Sequence, residues 1–512
     1  MSVRHAFVLV IATAACAGCD SGGGELPPGA TSEDLRTFHV DVTKRGKPIR
    51  AFGGLDGNPL PGKADAATET DLTALYQSHG VRQVRLSRGS GCDVALDAVF
   101  PAPNLAAGEP GAPDYATLDE VLKNALASGM PPIWGAMYDV GKGACSRRGD
   151  LEEGSGIADP DVWATAVVQT LQHMRSSGLV APIVEFYPDP FGAGGYSKGQ
   201  AFQHVNAWAR LREALRAAFP AASGSPGFQI AAPGIPIEAA GAFTDADHAF
   251  ATFGNHLATT PADAPDALSF ASVAWMPEDH LAIAEEARLA AVRWGLAALP
   301  LADGGARPPE ALWTELAGLL TTPARRSAFL AAHLAAARVL LQDRVESFAA
   351  ARWAGPPDAG GTPEDLFVRP DRTSLPALES MIAFYLMESA AAVRVPAALA
   401  DGKASDGKGV AALAAVGKDG TLFLLAALAD PGRIGAWVRV RFDVTGLPAN
   451  AASAKVLRVT VDESTEAFAW QEDSRAPVTG GELTIERTAW VPAVMLLQVT
   501  PIEAVNAPAA PR

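Results

Sequence analysis

Two carboxylates set the chemistry this sequence can attempt. Asp189, in Val184-Glu185-Phe186-Tyr187-Pro188-Asp189-Pro190, and Asp303, in Leu301-Ala302-Asp303-Gly304, each follow a short apolar run of the kind that forms a buried strand. Two carboxyl groups facing one glycosidic bond can divide its cleavage. One protonates the leaving oxygen, and the other attacks the anomeric carbon or activates water. Tyr187, on the same run as Asp189, and Tyr138, Trp275 and Trp353, on three others, stand at the ends of apolar runs. Their rings can either stack on a sugar or pack against a rim. Alternation along a strand puts Glu185, Tyr187 and Asp189 on one face, so Glu185 is either a third acidic group at the mouth or a buried partner for Arg85. A serine nucleophile finds little support, because Gly89-Ser90-Gly91 lacks the elbow spacing and no His stands at a plausible strand end.

The elements that must position these groups alternate. Strands are predicted at Phe52–Gly57, Gln83–Ser87, Pro132–Asp139, Ile183–Tyr187, Gln229–Pro233, Leu268–Trp275, Ala298–Ala302 and Ser347–Trp353. Amphipathic helices between them include Asp114–Ser128, Asp161–Ser176, Gln200–Ala218, Glu278–Gly295, Pro323–Asp343 and Leu375–Ser389. Eight strand–helix units in one run predict an α/β domain over 51–390 that is a (β/α)8 TIM barrel, with its chemistry at the C-terminal strand ends. A doubly wound sheet would carry a Gly-x-Gly-x-x-Gly turn after its first strand, and none is present. From 391 to 505 the apolar runs become short, alternating and bounded by Gly, Asp and Pro, which predicts a C-terminal all-β sandwich. The strand in 37–50, Phe38 to Val42, is expected to join it, and 506–512 is a tail. Gly402 to Gly409 resembles a phosphate loop only superficially and is read as a turn.

The N-terminal segment, 1–19, has a short basic start and an apolar run to Ala15, too short to span a bilayer, and reads as a signal peptide. Cys16-Ala17-Gly18-Cys19 resembles a bacterial lipobox, which implies lipidation at Cys19 and a protein anchored at the bacterial cell envelope. Residues 20–36, Gly- and Pro-rich, would be a flexible tether. The formal net charge of −16 argues against a nucleic-acid partner. Cys92 and Cys145 remain after the signal, and in an oxidising compartment they are expected to form one disulfide linking adjacent rim loops. No metal site or cofactor is implied.

Phe52-Gly53-Gly54-Leu55, Val84-Arg85-Leu86-Ser87, Asp114-Tyr115 and Gly129-Met130-Pro131-Pro132 together resemble the first strands and second helix of glycoside hydrolase family 39, the β-xylosidase and iduronidase group. The resemblance covers nearly the whole mature chain and implies an oligo- or polysaccharide ligand. Members usually end the fourth strand in Glu-x-Trp-Asn-Glu-Pro and the seventh in Thr-Glu-Trp. Here Asp189 takes the acid/base position, Pro188 replaces the Asn, Tyr187 replaces the Trp, and Asp303 takes the nucleophile position. Each Glu-to-Asp change withdraws the carboxyl by about 1.5 Å. Retaining enzymes hold their carboxyls about 5–5.5 Å apart and inverting ones about 6.5–9.5 Å, so the paired change suits an inverting site. The loss of the Asn, with both Glu, suits a barrel that binds sugar without cleaving it. The residues are compatible with both alternatives.

Overall fold

Eight parallel strands close into a barrel between residues 54 and 351. The structure is a computed structural model that describes residues 35–56, 64–65, 70–71, 73–86, 94–102, 104–136, 157, 159–186, 201–220, 226–245, 248–351, 367–368, 373–374 and 376–503. After β1 (Leu35–Asp41) the barrel strands are β2 (Gly54–Asp56), β3 (Gln83–Leu86), β4 (Pro132–Gly135), β5 (Ile183–Glu185), β6 (Gln229–Ile237), β7 (Ala267–Ser272), β8 (Leu301–Ala306) and β9 (Ser347–Ala351). They pair in chain order, and β9 closes on β2 with Ala349 opposite Gly54. The helices that follow them are α1 (Thr73–Ser78), α2 (Ala116–Ala127), α3 (Pro160–Ser177), α4 (Ala201–Ala218), α5 (Ala249–Thr259), α6 (Pro277–Arg293), α7 (Pro323–Leu341) and α8 (Met381–Ser389).

Alternation along the strands explains why this sequence closes as it does. Val84 and Leu86, Trp134, Val184, Ile230, Leu268 and Phe270, and Leu301 are all buried and point outward beneath the helices. Phe186, just past β5, sits among the rings of Trp163 on α3, His204 and Trp208 on α4, and Phe253 on α5. Helix ends follow their local chemistry. Asp159 caps α3 by accepting from the amides of Asp161 and Val162, Pro160 opens the first turn, and Gly178 ends the helix at φ 73°.

Several strand limits differ from the sequence expectation, and one of them matters chemically. β6 runs on to Ile237 through Pro233 and Pro236, which read as stop signals. The seventh barrel strand, β8, starts at Leu301 and continues to Ala306 instead of occupying 298–302. Pro300 lies before it, and its last three residues, Gly304-Gly305-Ala306, carry no hydrophobic signal that a pattern could detect. Asp303 is therefore inside the strand, not at its end. α5, between β6 and β7, was not among the expected helices.

The second layer is a sandwich. Its strands are β10 (Val393–Val395), β11 (Ala397–Ala398), β12 (Val410–Val416), β13 (Leu422–Leu428), β14 (Trp437–Thr445), β15 (Ala451–Val461), β16 (Gln471–Pro477), β17 (Leu483–Trp490) and β18 (Ala493–Glu503). They form sheets ordered β11-β1-β14-β17 and β10-β12-β13-β18-β15-β16. β1 lies parallel to β14, with Phe38 opposite Phe442. β12 and β13 are buried at every position because the six-stranded sheet is covered on both faces. Val410, Ala412 and Leu424 face the other sheet, while Ala411, Leu413, Phe423 and Leu425 join the barrel core. Arg325 on α7 forks onto Glu463, with Nη2 2.7 Å from Oε1, and the Phe468 amide donates to Glu379 Oε2 at 2.7 Å.

Packing between α5 and the end of α6 is tight enough to test. A Cβ on Gly254 would sit 2.0–2.3 Å from the Trp294 ring. Ala ordinarily stabilises a helix interior by about 1 kcal/mol over Gly. Here the overpacking cost of about 1–3 kcal/mol opposes it. Gly254→Ala is expected to lower Tm in a circular-dichroism melt; an unchanged or raised Tm would contradict the packing.

Candidate active site

The barrel interior is organised around one ion pair. Arg85 on β3 and Glu185 at the end of β5 both point inward, and Arg85 Nε donates to Glu185 Oε2 at 2.6 Å. The two residues are 5 % and 2 % exposed, so neither charge is left to water. Gly135, on the intervening β4 and in register with Glu185, has no side chain to part them. β8 makes room from the opposite wall. A Cβ on Gly304 would lie 3.1 Å from Glu185 Oε1 and 3.4 Å from Arg85 Nε, and one on Gly305 would lie 3.4 Å from Arg85 Nη1. Of the two roles the sequence left open for Glu185, the geometry is that of the buried partner.

Asp303 has the opposite orientation, and this corrects its expected role. Its neighbour Gly304 faces the axis, so alternation turns the Asp303 carboxylate outward toward the helices. There Oδ1 accepts from the Ser272 amide at 3.1 Å and from the Gly305 amide at 3.4 Å, and Oδ2 accepts from Ser272 Oγ. Ser272 Oγ also meets His280 Nδ1 on α6, and His280 Nε2 lies 2.9 Å from His333 Nε2 on α7. Every member of this chain is buried. Burial pushes the Asp303 carboxyl up to about 6, against the lowering effect of the Ser272 and Gly305 donors and of Arg85. Burial also pulls His333 down to about 3 and His280 well below its usual value. Asp303, 1 % exposed, thus ties the barrel wall to the helix layer. The seventh strand presents only Gly304 and Gly305 to the interior where a nucleophile was expected.

Asp189, Tyr187, Tyr138, Trp353, Cys92, Cys145 and Cys19 lie outside the described residues. Trp275, three residues past β7, is 40 % exposed at the C-terminal mouth. Beside it is Arg307, which was not among the expected site residues because the seventh strand was expected to end at Ala302, four residues short of its end at Ala306. Arg307 bridges Val273, and the Ala274 amide donates to its carbonyl at 3.0 Å. Its guanidinium makes no ion pair or hydrogen bond among the described residues. A half-buried Arg and an exposed indole on neighbouring strand ends can contact the hydroxyls and the apolar face of a saccharide. Among the described residues no cluster of three His, Cys, Asp or Glu could hold a metal ion. No described helix is long and apolar enough to cross a membrane.

No family model matches the sequence, and no curated protein matches it. Solved structures do. A glucosidase from Croceicoccus marinus aligns over 92 % of this chain and 100 % of its own, with TM-score 0.64 and 16 % identity. The GH39 enzyme from Xanthomonas axonopodis pv. citri aligns over 91 % and 97 %, with TM-score 0.64 and 15 % identity. A monomeric beta-xylosidase from Caulobacter crescentus aligns over 91 % and 100 %, with TM-score 0.63 and 13 % identity. The chain has the fold of these family 39 glycoside hydrolase structures, barrel and sandwich together.

Two measurements probe the charges. Removing one partner of a buried pair leaves the other uncompensated, at about 3–5 kcal/mol, whereas replacing both with apolar groups is often neutral. Arg85→Met is expected to lose that much stability in urea titration, and adding Glu185→Leu to recover most of it. If the double variant is as unstable as the single, the pair is not what holds these side chains.

Asp303 binds its proton more tightly folded than unfolded. Its ionisation therefore costs stability progressively as pH rises from about 4 to about 6, by about 3 kcal/mol in all. The gain of Asp303→Asn relative to the parent should be larger at pH 8 than at pH 4 by roughly that amount. A pH-independent difference would refute the shifted carboxyl.

Proposed function

We propose that this protein is a carbohydrate-binding barrel of glycosidase type, whose C-terminal mouth takes an oligo- or polysaccharide but does not support double displacement. The single observation that carries the reading is on the seventh strand. Asp303 is turned into the helix layer, and glycines take the inward positions that follow it. Retaining hydrolysis needs a second carboxyl about 5–5.5 Å from the acid, and the described part of that strand supplies none. Trp275 and Arg307 would contact the sugar at the mouth. Arg85 and Glu185 would support that mouth from below without touching the reacting bond. Lipidation at Cys19 would hold the protein at the cell envelope, and Cys19→Ser is expected to release it from the membrane fraction.

A second reading, hydrolysis with Asp189 as general acid, is favoured by the similar structures named as a glucosidase and beta-xylosidases. It would need a base from another strand and would proceed through activated water. A panel of aryl glycosides, with xylo-oligosaccharide binding measured in parallel by calorimetry, separates the two. Saturable binding without turnover, weakened at least several-fold by Trp275→Ala, is expected. Turnover in the parent that disappears in Asp189→Asn would replace the binding reading with the hydrolytic one.

A further inference from the structure

A TIM barrel normally fills its interior with layers of bulky branched side chains. This one does not. The inward positions of three consecutive strands are small: Ala231 on β6, Ala267 and Ser269 on β7, and Ala302 and Gly304 on β8. They leave a cavity of about 160 Å³ beneath the Arg85–Glu185 pair. Ile133 and Ile183 form its apolar wall, and Glu185 closes its inner end. Gln83 and Gln229, the first residues of their strands, and Glu346, just before β9, lie at the other end. Gln229 and Glu346 are exposed. The cavity thus leads to the N-terminal face, opposite the mouth where a saccharide would sit.

One group in it points to a ligand. Ser269 is 1 % exposed, and its Oγ has no hydrogen-bond partner among the described residues. An unpaired buried hydroxyl costs about 1–3 kcal/mol, and a hydroxyl brought in by an occupant would remove that cost. The size is informative as well. An apolar cavity of about 150 Å³ is large enough to bind benzene, so this volume admits one small ring.

We propose that this axial cavity is a second binding site, for a small phenol or cyclic alcohol. The ring lies between Ile133, Ile183, Ala231 and Ala302, and the hydroxyl meets Ser269 Oγ. The inner edge of the occupant touches Glu185, so the site adjoins the ion pair that underlies the C-terminal mouth. The inference does not depend on the sugar reading, because the two sites open on opposite faces.

The test uses the whole protein with phenol and, as an apolar control, toluene, followed by ligand-observed NMR and thermal melting. Both probes are expected to bind saturably and raise Tm. One lost hydrogen bond of about 0.5–1.5 kcal/mol corresponds to about 2- to 12-fold, so Ser269→Ala should weaken phenol by that factor and leave toluene unchanged. Ala302→Leu fills the cavity and should abolish both. Ala231→Val, a smaller filling, covers the case in which Ala302→Leu fails to fold. The proposal is overturned if neither probe binds the parent, if phenol binding survives the filling of the cavity, or if Ser269→Ala weakens phenol and toluene alike.

Discussion

The barrel interior depends on one buried contact, the pairing of Arg85 with Glu185. Taking two charges out of water costs several kcal/mol per ion, and only close geometry repays it. The neighbouring positions are arranged accordingly. Gly135 lies between the two strands that carry the charges, and Gly304 and Gly305 bring no side chain toward them from the far wall. The same smallness has two consequences. Toward the N-terminal end it leaves the interior underfilled. Toward the C-terminal end it leaves the seventh strand without a carboxyl.

Asp303 shows how a small displacement in a strand changes a chemical role. A strand side chain points in or out according to its parity, so a residue one position from the axis-facing site is on the wrong side of the wall. On that side Asp303 has acquired a different set of partners. Ser272, His280 and His333 connect it to two helices, and its carboxyl and the imidazoles are all driven toward their neutral forms by burial. Three donors satisfy the Asp303 carboxyl, and neutral imidazoles extend the chain into the helix layer without adding a further buried charge. A nucleophile must instead be open to substrate, and Asp303 is only 1 % exposed.

Much of the fold was legible in the sequence because period and burial agree there. The strand–helix alternation, the sandwich after residue 390 and the partnership of Glu185 with Arg85 all follow from side chains whose spacing matches their surroundings. Legibility failed where residues were small or were Pro. Pro233 and Pro236 looked like the end of β6, and Gly304-Gly305-Ala306 gave no sign that β8 continued. Asp303 was therefore placed at a strand end and given a catalytic position by analogy with Glu in family 39. Arg307 was overlooked for the same reason. The continuous apolar runs of β12 and β13 reflect burial on both faces, which alternation within the sandwich alone could not indicate.

In the binding reading the seventh strand of this barrel supplies no reacting carboxylate. Asp303→Asn keeps the shape of the side chain and most of its hydrogen bonds while removing its charge. Measured by calorimetry for saccharide binding and by aryl-glycoside assay for any turnover, the variant should match the parent within about twofold, since Asp303 touches neither. A loss of turnover of about a thousandfold or more, with the fold intact, would be the signature of a missing nucleophile or base and would contradict the account.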